Sequence, residues 1–265
     1  MDHKTRPRIG LALGSGGARG MAHVGVLHVL EAHHIPIDYI AGSSMGSLVG
    51  ALYASGYNAA ELDQIANLFK RKFYLDFTVP KMGLMNGKRI EELIYMLTKG
   101  QRFDELERPL TVTATNLQTG APVQLNEGNV AKAVRASISI PGIFVPVEHE
   151  QQMLVDGGIV DRVPAQVVRQ MGADIVIAVD VSYFPKQPPI SSIYDVIMQS
   201  MEIMGKEVLE ARTILADVLM RPIVRQHSSV MFQDTPELIK QGKEEAEKYV
   251  SLIKERMTEW EAANE

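Results

Sequence analysis

The chain contains no cysteine. Structural disulfides, thiolate-ligated zinc and thiol catalysis are therefore excluded. Positive charge is also short, with 27 Lys and Arg against 32 Asp and Glu and a formal net charge of -5. A nucleic-acid binder needs a cationic surplus to neutralise phosphates, so that class is set aside. Long apolar runs are missing too. The opening "MDHKTRPRIGLALGSGG" lacks the apolar core of a secretory signal, and no window has the length of a membrane-spanning helix. The expectation is a soluble cytoplasmic protein, with peripheral contact to a membrane surface left open. Repeats, low-complexity linkers and a clear domain boundary are absent as well. At 265 residues and 46% hydrophobic, the chain is read as a single domain over 1–265. Its core covers about 8–183, and a mainly helical part covers about 191–265.

What is present begins with "RIGLALGSGG", a short apolar strand running into a glycine loop. A helix is expected from Met21 to about Ala32, a second strand at "IDYIAG", and a helix from Ser44 to Ser55. Strand, loop, helix, strand and helix in this order predict βαβ units and a mainly parallel sheet. "AAELDQIANLFKRKFYLDF" reads as an amphipathic helix, "TVPKMGLMNGKR" as irregular, and "IEELIYMLTKG" as helical. "LTVTATNLQTGAPVQL" reads as two strands joined at Thr119 and Gly120, and "NVAKAVRASISI" as a helix running up to Pro141. "MLVDGG" is a strand entering a turn, "PAQVVRQMG" a helix opened by proline, and "ADIVIAVDVS" a continuous β-branched run suited to a central parallel strand. Beyond Ser191 the spacing is helical through "VLM". A further helix opens at Thr235, with proline next and glutamate after it.

Three stretches carry chemistry. Gly42-Ser43-Ser44-Met45-Gly46 fits G-x-S-x-G, a strand-to-helix turn that lifts a serine out of the sheet where bulkier flanks would clash. "LGSGGARG" places glycines after the first strand, so that backbone N–H groups can face an anion. A dinucleotide is the weaker match. The G-x-G-x-x-G frame has Ser15 in its first place, and no acidic residue ends the second strand. "LVDGG" puts Asp156 at a strand end before two glycines, which suits either a turn aspartate or a base. Histidine alternatives for the base are few. Only His149, in "VEHEQQ", and His227, in "RQHSS", follow Ser44, and both are read as polar loop positions. His23, His28, His33 and His34 are assigned to the first helix and its end.

Taken together, "GSGGARG", "GSSMG", "SISIPGIFVPV" and "DGG", in that order over roughly residues 8–183, resemble the patatin-like phospholipases of the compact single-domain bacterial kind. The resemblance implies a three-layer α/β/α patatin-like fold and hydrolysis of lipid acyl esters, with an esterase or thioesterase for small acyl groups, or a regulatory protein that keeps the fold with little turnover, as the alternatives. It implies a Ser44–Asp156 dyad in place of a triad, and backbone N–H groups of Gly16, Gly17 and Ala18 around the oxyanion. It calls for neither cofactor nor metal. Met45 can add its N–H to the same hole. Arg19 stands for either a contact to a lipid phosphate or a brace for its own loop. Pro141 is read as pocket wall. Ser15 departs from the usual glycine without touching the Gly16 and Gly17 amides.

Two features keep alternatives. In residues 68–89, Lys70, Arg71, Lys72, Lys81, Lys88 and Arg89 alternate with Phe73, Tyr74, Phe77, Leu84 and Met85. They suit an anionic bilayer, a lid, or a helix packed on its own core. Met198, Met201, Met204 and Met220 suit a core, an acyl tunnel or a helix-mediated homo-oligomer.

Overall fold

The computed structural model describes residues 6–68, 76, 81–184, 190–211, 214–225 and 232–264. In chain order the elements are β1 (Ile9–Leu13), α1 (Ala22–Ala32), β2 (Tyr39–Ser43), α2 (Met45–Ala54), α3 (Ala59–Leu68), β3 (Gly83–Met85), α4 (Lys88–Leu97), β4 (Leu110–Asn116), β5 (Pro122–Leu125) and α5 (Val130–Ser137). They continue with β6 (Gly142–Phe144), β7 (Val147–His149), β8 (Gln152–Asp156), α6 (Ala165–Gln170), β9 (Ile175–Val179), α7 (Ile193–Ala211), β10 (Val218–Met220), α8 (Thr235–Glu247) and α9 (Val250–Asn264).

The fold is mixed α/β around a mostly parallel sheet. β10, β9, β1, β2 and β4 pair in that order, each parallel to the next. β1 and β9 lie inside this run, which explains why "IGLAL" and "IVIAV" are apolar throughout: both faces of each are covered. On one face Ile9, Leu11, Leu13 and Ile40 pack into a large core with α1, α2, α5 and α8. On the other, Ala12, Ala41, Val176 and Ala178 meet α6 through Val167 and Val168, with Leu209 of α7 against them.

The far side of the sheet brings two strand ends together. Val112 and Thr113 of β4 pair with Gly42 and Ser43 of β2, and also with Leu125 and Gln124 of β5. Ala114 and Thr115 pair with Val123 and Pro122 of β5, and also with Asp156 and Val155 of β8. A strand has only two edges. β5 therefore holds one edge of β4, while β2 and β8 share the other, running toward each other. Their C-terminal residues arrive opposite adjacent β4 residues, Ser43 at Thr113 and Asp156 at Ala114.

Several expectations are corrected. β3, inside the stretch read as irregular, pairs in parallel with β6 just after Pro141. β10 falls where a continuing helix was expected. His149 lies in β7 rather than a loop, in a tight hairpin turned by Glu150 and Gln151, both at positive φ. The helix from Thr235 is two helices, α8 and α9, and Asp234 rather than Thr235 is its N-cap. The methionine series splits, with Met220 fully buried and Met204 well exposed. Of the 68–89 stretch, Lys70, Arg71, Lys72, Phe73, Tyr74 and Phe77 lie outside the described residues. Met85 is buried in β3.

α8 is bound to the first βα unit by a close crossing on α1. A methyl at Gly242 would sit 2.0 Å from the Ala22 carbonyl oxygen, and one at Gly25 would sit 2.0 Å from that of Ile239. Backbone cannot yield as a side-chain tip can. Gly242→Ala is expected to cost about 3 kcal/mol, the upper range for overpacking, read as a lower urea midpoint at unchanged slope.

Candidate active site

Ser44 stands between β2 and α2 with φ 51° and ψ -119°, a conformation that L-residues avoid. The two glycines of the motif explain how it is held. A methyl on Gly46 would lie 2.1 Å from the Leu13 carbonyl oxygen, and one on Gly42 would lie 2.5 Å from that of Gly46. The first turn of α2 thus presses directly on the end of β1, and only hydrogen fits between. Two hydrogen bonds then hold the bend. Ser47 Oγ donates to the Ser44 carbonyl (2.6 Å), and the Ser44 N–H donates to Ser137 Oγ (2.8 Å).

The Ser44 hydroxyl donates to Asp156 Oδ2 at 2.6 Å. Both residues are nearly closed off from solvent, at 6% and 3% exposure. The head-on approach of β2 and β8 along β4 accounts for this meeting of residues 112 positions apart. Asp156 is fixed at four points: Oδ1 accepts from the Gly158 N–H (2.8 Å), its carbonyl from Thr115 Oγ1 (2.9 Å), its N–H donates to the Ser139 carbonyl (3.0 Å), and Oδ2 holds Ser44. Burial is the largest influence on its titration and pushes the carboxyl up to about 6. The Ser44 and Gly158 hydrogen bonds oppose that shift.

The glycine loop lies beside this pair. The Gly14 N–H donates to the Val179 carbonyl (3.0 Å), and the Ser15 N–H to the Arg162 carbonyl (2.9 Å). The loop then turns at Gly17, φ 57°, into a short 3-10 helix over Gly17–Met21. Among the described residues, nothing accepts from the amides of Gly16, Gly17, Ala18 or Met45. Those donors are unspent.

Arg19 does not project from the loop. It is 3% exposed, donates to the Tyr183 carbonyl (3.1 Å), and ion-pairs with Glu202 of α7. Burial holds its guanidinium below the ordinary arginine range, against the pull of Glu202. This is the bracing arrangement of the two anticipated. Arg162, six residues past Asp156, takes the second oxygen of Glu202 at 3.1 Å and donates to Ser182 Oγ (2.9 Å). One carboxylate from α7 thereby ties the glycine loop to the chain leaving Asp156.

Four contributors are not visible in the sequence alone. His23, expected in the first helix in a surface or helix-terminus role, is fully buried, and its Nε2–H donates to the Gly14 carbonyl (2.8 Å). Burial pushes its pKa down to about 4, so the ring is neutral and serves as a loop anchor. Ser137 and Ser139, at the end of α5 in "SISIPG", bind the backbone N–H groups of Ser44 and Asp156 respectively. Arg135 backs them. Buried, it donates to the carbonyls of Gly87 (2.9 Å), Asn86 (2.8 Å) and Val145 (2.9 Å) and to Ser139 Oγ. The alternation of serine with isoleucine ahead of Pro141 is the one local signal of this support. No cluster of metal-ligating side chains occurs among the described residues. His149 is a half-exposed strand residue beside Glu150, and His227 lies outside the described residues.

Residues 11–169 match the family model of patatin-like phospholipases. The chain belongs to the patatin-like phospholipase family. Among curated relatives, an uncharacterized NTE family protein of Mycobacterium bovis is 38% identical over 184 residues, covering 67% of this chain and 50% of its own length. A protein named lysophospholipase nte1 from Aspergillus fumigatus is 35% identical over 187 residues, covering 68% of this chain but 12% of its own. The chain thus spans half or less of these relatives. Among solved structures, VipD from Legionella pneumophila superposes with a TM-score of 0.65 over 93% of this chain and 67% of that one, at 12% identity. ExoU in the ExoU–SpcU complex of Pseudomonas aeruginosa does so with 0.53 over 96% and 52%, at 17% identity. Both show the patatin-like fold. In this patatin-like chain the serine bend, the DGG aspartate and the glycine loop all lie inside the matched residues 11–169, whereas Glu202, which fastens the glycine loop to Arg162, lies beyond them.

Proposed function

We propose that this patatin-like chain is a serine hydrolase of lipid acyl esters, with phospholipids and lysophospholipids as the substrate class. The 2.6 Å contact from the Ser44 hydroxyl to the Asp156 carboxylate carries this reading. Asp156 takes the hydroxyl proton as Ser44 Oγ attacks the acyl carbon, and the carbonyl oxygen becomes an oxyanion. The unspent amides of Gly16, Gly17, Ala18 and Met45 are available to receive that charge, a contribution of about 3 kcal/mol for one well-aimed donor. Collapse breaks the ester C–O bond, and Asp156 passes its proton to the leaving alcohol. Water then repeats the sequence on the acyl-serine: Asp156 takes its proton, hydroxide oxygen joins the acyl carbon, and the proton returns to Ser44 as the fatty acid leaves. A carboxylate titrating near 6 is a stronger base than an ordinary one, yet it is mostly ionised at pH 7.

A fluorophosphonate probe tests the assignment. Labelling is expected at Ser44, absent in Ser44→Ala, and falling with an acid limb near pH 6, because the base must be deprotonated to act. Full labelling of Ser44→Ala would refute the nucleophile, and an acid limb near the ordinary carboxylate value of about 4 would refute the raised carboxyl. The relatives' name argues for lysophospholipids first. Comparing lysophosphatidylcholine with a short soluble ester such as p-nitrophenyl butyrate separates a lipid hydrolase from a general esterase.

A further inference from the structure

We propose that α7 is the lipid-docking surface of this protein and the cover of its active site, with a zwitterionic or uncharged lipid surface as its partner. This rests on the hydrolase reading above. The two reacting side chains are enclosed in the structure, so an acyl ester held in a lipid aggregate reaches Ser44 only after something moves aside.

α7 is the element placed to do so. It touches the glycine loop, the chain beyond Asp156 and the stretch after Ser139. Glu202 binds Arg19 of the glycine loop and Arg162 beyond Asp156, and Gly205 lets the Arg162 guanidinium lie 2.4 Å from where a methyl would be. Ile197 Cδ1 lies 3.2 Å from the methyl position of Gly142, in the stretch that follows Ser137 and Ser139. Leu209 packs toward the sheet.

The outer face is different in kind. Ile193, Val196, Ile203 and Met204 are 48–67% exposed, and Ile190 just before the helix is 56% exposed. At about 100° per residue, positions 193, 196, 203 and 204 fall within about a 100° sector, which also holds Ser200 and, one turn past Ile203, the exposed Glu207. Contiguous apolar surface of this kind marks a contact site rather than ordinary scatter. Charge selects the partner. Asp195, Glu207 and Glu210 outnumber Lys206, which is itself paired with Glu210 at 3.4 Å. Cationic residues are what draw a surface helix to anionic lipid, and α7 is the reverse. The stripe is also small for a second copy of the chain. Five half-exposed side chains offer roughly a few hundred Å², against about 800 Å² per partner in a stable interface. When the stripe enters a lipid surface, the N-terminal half of α7 swings off Gly142 while Glu202 keeps its middle anchored, opening a path to Ser44.

The test pairs binding with labelling. Ile193→Asp/Val196→Asp and Ile203→Asp/Met204→Asp are compared with wild type in co-sedimentation with phosphatidylcholine vesicles, with melting temperatures checked for intact folding. Wild type is expected to bind phosphatidylcholine better than phosphatidylserine vesicles, and both variants to bind phosphatidylcholine at least tenfold more weakly. The ratio of fluorophosphonate labelling rates with and without vesicles is expected to be severalfold in wild type and near one in the variants. Equal vesicle binding by variants and wild type overturns the proposal. So does a stripe substitution that leaves binding intact and converts a dimer to a monomer in sedimentation velocity, which assigns the face to a second copy. Stripe-dependent binding with no label on Ser44 in any protein keeps the docking surface and overturns the hydrolase reading instead.

Discussion

Asp156→Asn is expected to lower ester hydrolysis by at least a thousandfold while making the folded protein more stable at pH 7. The loss follows from the role proposed for Asp156: an amide cannot take the Ser44 proton. The gain follows from the same burial that tunes the base. The carboxyl titrates near 6 in the folded chain against 3.8 when unhindered, so the ionised form is disfavoured inside the protein. A difference of about two pKa units at roughly 1.4 kcal/mol each gives on the order of 3 kcal/mol of destabilisation by the charge above pH 6. Between about pH 6 and 4 the folded chain holds a proton that the unfolded chain has released. Stability therefore rises as pH falls through that window, and the advantage of Asn disappears by its lower end. Asparagine keeps the geometry, since its oxygen can accept from Gly158 and its NH2 can donate to Ser44 Oγ. Melting temperatures of wild type and variant at pH 7 and 4.5 measure the effect. A variant less stable than wild type at pH 7, or with more than a tenth of its activity, sinks the account of Asp156.

Glu202→Ala is expected to be the most damaging substitution outside the dyad. It strands two guanidinium groups, those of Arg19 and Arg162, which are 3% and 6% exposed. Breaking a buried ion pair from one side costs about 3–5 kcal/mol, because the remaining charge is left uncompensated. Here two are left. The Arg19 side chain also fastens the glycine loop whose amides are proposed to receive the oxyanion, so labelling of Ser44 should fall even at temperatures where the variant is folded. The control is replacement of the whole triad, Arg19→Met, Arg162→Leu and Glu202→Met, which removes the charges together and should recover much of the stability without recovering activity. A Glu202→Ala protein that melts with wild type would show the triad to be energetically idle.

The central parts of this fold are legible in the sequence, and the fastenings are hidden. β1 and β9 are continuous apolar runs because neighbours cover both their faces, and the elbow is visible because a methyl on Gly42 or Gly46 would lie 2.5 or 2.1 Å from backbone oxygen, so that only glycine fits. Three-residue strands such as β3, β6 and β10 have too few positions to show a period. The β7–β8 hairpin gives no turn signal because Glu150 and Gln151 take positive φ without the usual Asn or Gly. Pairings over long separations leave no local mark. Nothing near Arg19 announces a partner 183 positions away, and nothing near His23 shows that its ring enters the interior to bind the Gly14 carbonyl. Serines 137 and 139 look like helix-end residues until the two backbones they hold are seen.

The meeting of β2 and β8 on one edge of β4 has a consequence for how such a chain can vary. Consecutive rungs of a single ladder set the spacing of Ser44 and Asp156, whatever the length of the excursion between them. Extra segments spliced in after Asn116 or ahead of Gln152 leave that spacing alone. One residue added within β8 turns the Asp156 carboxylate to the opposite face of the sheet, and the machine is unmade by the smallest edit rather than the largest.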